Sequence, residues 1–230
     1  MTPYYIDDHV TLYHGDCLDV LPTIKAATVD VVLTDPPYVI GAVSSGSMSS
    51  KSGGWGDMMN SALWFTAWYR EARRTLSAKG AMWTFLNWRT LPVVMRAAID
   101  TDWPIASLAV WDKQWIGPGG SVGLRPSYEL VALLPNPGFS IADRGVADVI
   151  PHKVGSYKPN GHPAEKPVGL AQRLLEITDM TSGSLVLDPF LGSGTTAVAA
   201  KEMGLRCIGI EAEERYCETA AKRLAQGVLL

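Results

Sequence analysis

The chain has 230 residues, of which 47% are hydrophobic and 19% are charged. This composition excludes a disordered polypeptide and is sufficient to bury one sizeable core, so we expect a single domain over residues 1–230. The formal net charge of -3 gives no bulk sign of a nucleic-acid or acidic-membrane partner. Any such partner has to be inferred from particular sites.

The first residues are acidic where an export signal would be basic, and no apolar run approaches the ~18 residues of a membrane span. We therefore expect an unexported, cytoplasmic protein. Cys17, Cys207 and Cys217 are odd in number and include no C-x-x-C pair. They favour buried thiols in a reducing compartment over a disulfide framework.

Strand-like and helix-like segments alternate along the chain, which is typical of an α/β fold with helices on both faces of a mainly parallel sheet. The spacing predicts about seven strands, at residues 10–14, 29–34, 80–86, 105–111, 128–134, 184–187 and 206–210. Helices are predicted at residues 18–24, 63–76, 91–99, 167–178, 196–203 and 213–225. We expect the strands at 105–111 and 128–134 to form an antiparallel pair.

Three segments lack regular apolar spacing. Residues 39–60 are rich in Gly and Ser and follow a strand end, which predicts a mobile binding loop and a candidate lid. Residues 112–127 form a Gly-rich connection, and the stretch from Pro135 to Pro163 combines glycines, prolines and alternating basic residues. We expect both to be loops.

The strand predicted at 184–187 runs into a glycine-rich turn with the sequence Asp188-Pro189-Phe190-Leu191-Gly192-Ser193-Gly194-Thr195-Thr196, which opens a helix. Small residues there let a ligand approach the N–H groups of the helix N-terminus. Glu211 ends the next strand, where a carboxylate can bind both hydroxyls of a ribose. No Gly-Lys-Ser/Thr follows, and a dinucleotide site would need glycine at Ala197, so the pattern favours a nucleoside without a pyrophosphate. Tight strand-to-helix packing and an ordinary helix-start acid are the alternatives.

Another predicted strand ends in Asp35-Pro36-Pro37-Tyr38. Two consecutive prolines fix the backbone and remove N–H donors, which leaves carbonyl groups and a carboxylate as a rigid cluster of acceptors. The Asp35 carboxylate and the Pro36 carbonyl can each accept one hydrogen of an NH₂ group, and the Tyr38 ring can stack on a planar base. The alternative is a proline-terminated strand whose aspartate caps a helix.

These two motifs together resemble those of the S-adenosylmethionine-dependent DNA amino-methyltransferases, which modify N6 of adenine or N4 of cytosine. D-P-P-Y precedes the glycine turn, an order similar to that of the permuted beta group, and the resemblance implies a Rossmann-like methyltransferase fold. Related glutamine methyltransferases carry the donor loop first and usually Asn in place of Asp35. Two further segments are similar to those of the family, His162-Pro163-Ala164-Glu165-Lys166-Pro167 and Gly15-Asp16-Cys17-Leu18.

The resemblance implies roles for individual residues. The target base would be held by Asp35, Pro36, Pro37 and Tyr38. The S-adenosylmethionine site would be formed by Asp16, Cys17, Lys166, Asp188, Phe190, Gly192, Ser193, Gly194, Thr195 and Glu211. Within this set Glu211 would bind the ribose, Asp16 the adenine edge and Lys166 the methionine end. The alternatives are a helix cap for Asp16 and a solvated cation for Lys166.

The resemblance further implies a double-stranded DNA substrate, with the target base flipped out and methylated by direct in-line transfer. The expected target-recognition insertion lies at about residues 112–160. Candidate DNA contacts are Trp55, Lys113, Arg125, Lys153 and Lys158, and a solvated loop surface is the alternative. The histidines lack ligand spacing, so no metal is expected. Family members often dimerise, which makes a homodimer a further expectation.

The target base is predicted from Asp35. This residue favours N6 of adenine, and N4 of cytosine is the alternative because D-P-P-Y serves both bases. Two other classes are a donor-binding module without turnover and a protein or RNA methyltransferase. Intact Asp35 and Tyr38 disfavour the first class, and the motif order disfavours the second.

Overall fold

The computed structural model describes residues 1–38, 55–117, 123–154 and 165–226, and the side chains of residues 55–58 lie outside this description. Within these ranges the chain forms nine strands and six helices. The strands are β1 (Tyr5–Ile6), β2 (Val10–His14), β3 (Val29–Thr34), β4 (Leu76–Leu86), β5 (Ser107–Asp112), β6 (Tyr128–Pro135), β7 (Val149–Pro151), β8 (Leu185–Asp188) and β9 (Arg206–Glu211). The helices are α1 (Cys17–Val20), α2 (Trp55–Thr75), α3 (Leu91–Asp100), α4 (Val168–Ile177), α5 (Thr195–Glu202) and α6 (Glu214–Ala225), and a 3₁₀ turn at Leu21–Thr23 follows α1.

All nine strands pair in one sheet with the order β1-β2-β9-β8-β3-β4-β6-β5-β7. Strands β2, β9, β8, β3 and β4 pair in parallel, as do β5 and β7. Strand β6 runs antiparallel to its neighbours β4 and β5. The C-terminal ends of the parallel strands therefore meet at one edge of the sheet, together with the N-terminal end of β6. We call it the carboxyl edge, the place where open α/β sheets bind their ligands.

Helices cover both faces of the sheet. Successive strand side chains point to opposite faces, so that Val31 and Leu33 pack with α4, α5 and α6, whereas Val32 packs with α1, α2 and α3. The second face contains the large, fully buried side chains Trp68 and Tyr69. The nearly continuous apolar run of β3 requires cover on both sides, which explains the layered arrangement.

The α/β class, the mainly parallel sheet and the antiparallel pair of β5 and β6 are confirmed. The sheet has nine strands within the described ranges rather than about seven. The additional strands β1 and β7 have only two and three residues, too few to show a periodicity.

Helix α2 begins at Trp55, so the prediction of a loop through residue 60 and of a helix from residue 63 was wrong at this boundary. Gly56, Asp57 and Asn60 are weak helix formers, and they hide the helical pattern of the first turns. The rest of that segment, residues 39–54, with its predicted lid, lies outside the described residues.

The three cysteines are buried and form no disulfide bond, as the sequence predicted. Burial raises the pKa of Cys17 and of Cys217 to about 12, so both thiols are protonated at neutral pH. No helix in the described ranges has the length and apolar character needed to cross a lipid bilayer.

Candidate active site

Two adjacent strands bring the two predicted motifs to the same place. Strands β3 and β8 pair in parallel, and both end at the carboxyl edge, where β3 continues into Asp35 and β8 ends at Asp188. The Thr34 hydroxyl donates a hydrogen bond of 2.7 Å to Asp188 Oδ1, although 154 positions separate the two residues in the chain. Strand adjacency thus joins motifs that are distant in sequence.

A cavity of about 620 Å³ opens at this edge and is lined by both motifs. The predicted site residues that line it are Asp16, Cys17, Asp35, Pro36, Pro37, Tyr38, Lys166, Asp188, Phe190, Gly192, Ser193, Thr195 and Glu211. Gly194 is outside the lining and precedes α5 with a φ of 92°. This left-handed conformation favours glycine and turns the chain from the loop into the helix.

Asp188 is the buried carboxylate of the glycine turn. Its Oδ1 accepts hydrogen bonds from the Thr34 hydroxyl and, at 3.0 Å, from the Phe190 N–H. None of the ion pairs among the described residues includes Asp188. Burial raises the pKa of Asp188 to about 6, against the effect of its hydrogen bonds. A buried anion in such surroundings suits a ligand that carries positive charge.

Glu211, at the end of β9, is held against the glycine turn by two backbone groups. Its Oε2 accepts a hydrogen bond from the Gly192 N–H and its Oε1 accepts one from the Glu213 N–H, both at 2.8 Å. Each oxygen keeps a further lone pair for a ligand. The carboxylate is therefore fixed at the cavity wall with two acceptor positions, which suits the two hydroxyls of a ribose.

Asp16 lies at the N-terminus of α1, where its side chain accepts a hydrogen bond of 2.8 Å from the Leu18 N–H. It is thus a helix cap, as the alternative interpretation proposed, and it also lines the cavity. The neighbouring Cys17 is buried.

A group of charged side chains surrounds the Asp35 turn. Lys166 Nζ lies 2.5 Å from Asp35 Oδ2 and 3.2 Å from Glu129 Oε2. Glu129 also accepts hydrogen bonds from the Tyr38 hydroxyl at 2.9 Å and from Lys113 at 2.6 Å. Asp35 Oδ1 is buried and has no hydrogen-bond partner among the described residues. The turn therefore contains a carboxylate oxygen whose hydrogen-bonding capacity is unused.

The neighbours of this group determine its protonation. Burial opposes charge on both Lys166 and Glu129, but Asp35 and Glu129 raise the pKa of Lys166 above its usual value. Lys166 and Lys113 hold the pKa of Glu129 below its usual range. Burial, with the carboxylates of Asp35 and Glu129, raises the pKa of Tyr38 well above its usual value. At neutral pH Lys166 is an ammonium, Glu129 a carboxylate and Tyr38 a neutral phenol.

Comparison with known proteins places the chain in a family. The family model described as DNA methylase, of the N6 and N4 methyltransferases, matches residues 29–144 and 144–222. The chain belongs to this DNA methylase family. The methylase is 32% identical to YubD of Escherichia coli (strain K12), over 92% of its own length and 88% of that of YubD.

Two solved structures resemble the methylase in fold. The PvuII DNA methyltransferase, described as cytosine-N4-specific, superposes with a TM-score of 0.80 at 16% identity, over 96% of this chain and 88% of the other. The complex of M1.HpyAVI with SAM superposes with a TM-score of 0.72 at 21% identity, over 94% and 98%. The family and the methyltransferase fold expected from the motifs are confirmed.

The side chain of Lys166 points toward the Asp35 turn of the methylase. Besides its ion pairs, the ammonium lies 5.4 Å from the ring centre of Tyr38 and 5.3 Å from that of Phe85. Its backbone carbonyl accepts a hydrogen bond of 3.3 Å from the Thr195 hydroxyl of the glycine turn. Lys166 is 9% exposed, which rules out the alternative of a solvated cation.

The predicted DNA contacts occupy different environments in the methylase. Lys153 follows β7 at the carboxyl edge and is exposed. Arg125 is also exposed and donates hydrogen bonds to the carbonyls of Gly117 and Ile116. The Lys113 side chain is 17% exposed and its ammonium is engaged by Glu129. Lys158 and the side chain of Trp55 lie outside the described residues.

Some of the residues that line the cavity of the methylase were not singled out from the sequence, among them Trp64, Phe85 and Glu129. Glu129 appears in the sequence only as one of several acids in a basic region. It is, however, an acid at the start of the otherwise apolar segment Tyr128–Pro135, and an isolated charge in a buried strand is a signal that could have identified it.

Proposed function

We propose that this protein transfers a methyl group from S-adenosylmethionine to the exocyclic N6 of adenine in double-stranded DNA, with the base flipped out of the helix. One observation carries the proposal. The acceptor-rich turn after β3 and the glycine turn after β8 line the same cavity of about 620 Å³. Two reactants bound at these turns would share one cavity, which a one-step transfer requires.

The residues of the glycine turn fit the methyl donor. Bound S-adenosylmethionine supplies a methyl group on a positively charged sulfur, which needs no acid to activate it. Glu211 provides two acceptor positions for the ribose hydroxyls. Asp188 is a buried carboxylate outside the ion pairs of the described residues, and it provides a partner for the ammonium of the methionine part. Asp16, at the cavity wall, would bind the adenine edge.

The Asp35 turn fits the target amino group. The Asp35 carboxylate and the Pro36 carbonyl each accept one hydrogen bond from the NH₂ group. The buried Asp35 Oδ1 has no hydrogen-bond partner among the described residues, and this supports the assignment because leaving a buried oxygen without a donor costs free energy. The Tyr38 ring stacks on the base and contributes roughly 1–3 kcal/mol toward the cost of flipping it out.

The same contacts make the nitrogen reactive. An exocyclic amino nitrogen is a weak nucleophile because its lone pair is delocalised into the ring. Two acceptors that hold the nitrogen in a tetrahedral arrangement localise that pair toward the donor, and Asp35 takes the proton released after transfer. Cys17 lines the cavity, but its pKa of about 12 keeps the thiol protonated, which disfavours covalent attack on a ring carbon.

The product nucleoside tests the proposal. Duplex DNA is incubated with the protein and methyl-labelled S-adenosylmethionine and is then digested to nucleosides. Labelled N6-methyladenine is the expected product, since Asp35 favours adenine. Labelled N4-methylcytosine would establish the alternative target. Label transferred to protein or RNA, or bound donor without transfer, would contradict methylation of DNA.

Substitution of Asp35 tests the role of the acceptor turn. We expect Asp35→Ala to lower the transfer rate by about 10²- to 10³-fold, as does the loss of one preorganised electrostatic contact in other enzymes. Donor affinity, measured by calorimetry, should be nearly unchanged because the glycine turn is intact. Asp19→Asn, at an exposed position on α1, is the control. Normal turnover of Asp35→Ala would refute the proposed grip on the amino group.

The proposal also includes the predicted DNA-recognition region, the oligomeric state and the cellular location. We place target recognition in residues 112–160 of a single domain spanning 1–230, with Arg125 and Lys153 as exposed cations of the carboxyl edge. A homodimer is the expected assembly, and sedimentation over a range of protein concentrations tests it. The resemblance to bacterial or phage-encoded enzymes makes the cytoplasm the expected location.

A further inference from the structure

Glu129 connects elements of the active site that come from different parts of the chain. It is the second residue of β6, which begins at the carboxyl edge. Its Oε2 is shared by the Tyr38 hydroxyl at 2.9 Å and Lys166 Nζ at 3.2 Å, and its Oε1 accepts from Lys113 at 2.6 Å. The side chain is 16% exposed. Such a largely buried, hydrogen-bonded contact set is stronger than a surface ion pair.

In the proposed reaction Lys166 shares the Asp35 carboxylate with the target amino group, which binds at the unpartnered Oδ1. Its ammonium lies 2.5 Å from Asp35 Oδ2 and 5.4 Å from the Tyr38 ring centre, close to both groups that would hold the base. The amino nitrogen also gains positive charge as it accepts the methyl group, and a cation held on the same carboxylate opposes this charge. Transfer is therefore favoured when another anion holds Lys166.

Glu129 is placed to be that anion. The charged and titratable groups that face Lys166 are Asp35 and Tyr38 after β3, Glu129 on β6, and Lys113 after β5, which acts through Glu129. This set contains two carboxylates and two ammonium groups, so its charges cancel. If Glu129 lost its charge, Asp35 would be the sole carboxylate within the set to compensate Lys166, and the ion pair between them would tighten.

We propose that Glu129 is a positioning residue for methyl transfer. It offsets the charge of the Lys166 ammonium and fixes the Tyr38 ring through its hydroxyl, so that the negative charge of Asp35 is available to the target amino group. The inference rests on the proposed function and extends it to a residue outside both sequence motifs.

The first test is the substitution Glu129→Gln, which removes the charge at nearly constant size. We expect kcat to fall by about 10- to 100-fold, the equivalent of one hydrogen bond to a charged group, while donor affinity stays unchanged. Glu129→Asp should recover part of the loss. Tyr38→Phe removes only the hydroxyl contact and should cost less than Glu129→Gln. Unchanged kcat in Glu129→Gln would overturn the proposal.

The pH profile separates this role from a purely structural one. In Glu129→Gln, Lys166 loses one of the two carboxylates that raise its pKa, so its pKa falls. As the pH rises through that lowered pKa, Lys166 becomes neutral and no longer offsets the charge of Asp35, so activity should recover toward that of the wild type. A constant ratio of variant to wild-type rates across the alkaline range would contradict the proposed effect of the Lys166 charge.

A double-variant comparison provides an independent test. In a Lys166→Met background there is no ammonium to hold, so Glu129→Gln should reduce kcat much less than it does in the wild type. Equal reductions in both backgrounds would overturn the proposal. If Glu129→Gln does not fold, Glu129→Asp replaces it in the test, because the shorter side chain moves the carboxylate away from Lys166. A kcat equal to that of the wild type in Glu129→Asp would then contradict the proposal. Absence of DNA methylation by the wild type would refute the proposed function instead.

Discussion

Asp188 determines how the proposed donor site responds to pH. Burial raises its pKa to about 6, whereas the pKa of an exposed aspartate is ~3.9. The folded state therefore binds a proton at Asp188 more tightly than the unfolded state does. Ionised Asp188 lowers the free energy of unfolding above about pH 6, and this loss of stability disappears as the pH falls toward ~3.9. A cationic ligand beside the carboxylate offsets the cost, which links donor binding to stability.

Donor affinity should therefore fall as the pH decreases below about 6, since protonated Asp188 must lose its proton to bind the ammonium of S-adenosylmethionine. Calorimetric titration between about pH 5 and pH 8 measures the effect. Asp188→Asn should bind the donor more weakly and with little dependence on pH in that range. Glu218→Gln, which alters an exposed ion pair with Lys222, is the matched control. Constant affinity of the wild type over this range would contradict a charged contact at Asp188.

Among the elements, the glycine turn depends on its packing against β9. A Cβ atom added at Gly209 would lie 2.5 Å from Leu191 Cδ2 and 3.0 Å from Leu191 Cδ1. Leu191 is 4% exposed and its N–H donates a hydrogen bond of 2.8 Å to the Ile210 carbonyl, so its side chain has little room to move. The absence of a side chain at 209 thus sets the position of the turn.

We expect Gly209→Ala to lower the free energy of unfolding by about 1–3 kcal/mol through overpacking, and to weaken donor binding as Leu191 displaces the turn. Chemical denaturation and calorimetry measure the two effects. Gly123→Ala is the control because a Cβ there meets nothing within 4 Å, and it should change stability by less than about 0.5 kcal/mol. If Gly209→Ala had the same stability and donor affinity as the wild type, the position of the turn would not depend on Gly209.

The elements differ in how far the sequence predicts them. Strands such as β3, with apolar residues buried on both faces, and the motifs beginning at Asp35 and Asp188 are local patterns and were recognised directly. Strands β1 and β7 exist through pairing with β2 and β5, a tertiary effect that their few residues do not encode. Glu129 belongs to the cavity only because β6 runs antiparallel and starts at the carboxyl edge, and this register cannot be read from composition.

At the scale of the whole molecule, net charge and local charge differ. The chain carries a formal charge of -3, which opposes approach to DNA at long range. Contact must then come from cations grouped near the cavity. Because β7 runs parallel to β5, the exposed Lys153 that follows it lies at the same edge of the sheet as the Asp35 turn.

Lys153→Ala should weaken DNA binding about equally for all sequences and lower the slope of log affinity against log salt concentration by about 0.9, the value for one phosphate contact. Fluorescence anisotropy with a labelled duplex at several salt concentrations measures the slope. Lys25→Ala is the control, since Lys25 is exposed before β3, at the opposite edge. Equal slopes for Lys153→Ala and the wild type would exclude Lys153 from the DNA-binding surface.

The rigid Asp35-Pro36-Pro37-Tyr38 turn also limits how many methyl groups one nitrogen receives in the proposed reaction. An unmodified amino group has two N–H bonds, one for the carboxylate and one for the Pro36 carbonyl. After a single transfer only one N–H bond is left, and the prolines prevent the backbone from closing on it. The monomethylated base therefore forms one hydrogen bond fewer than the starting base. Release is favoured over a second round, and the modification is self-limiting.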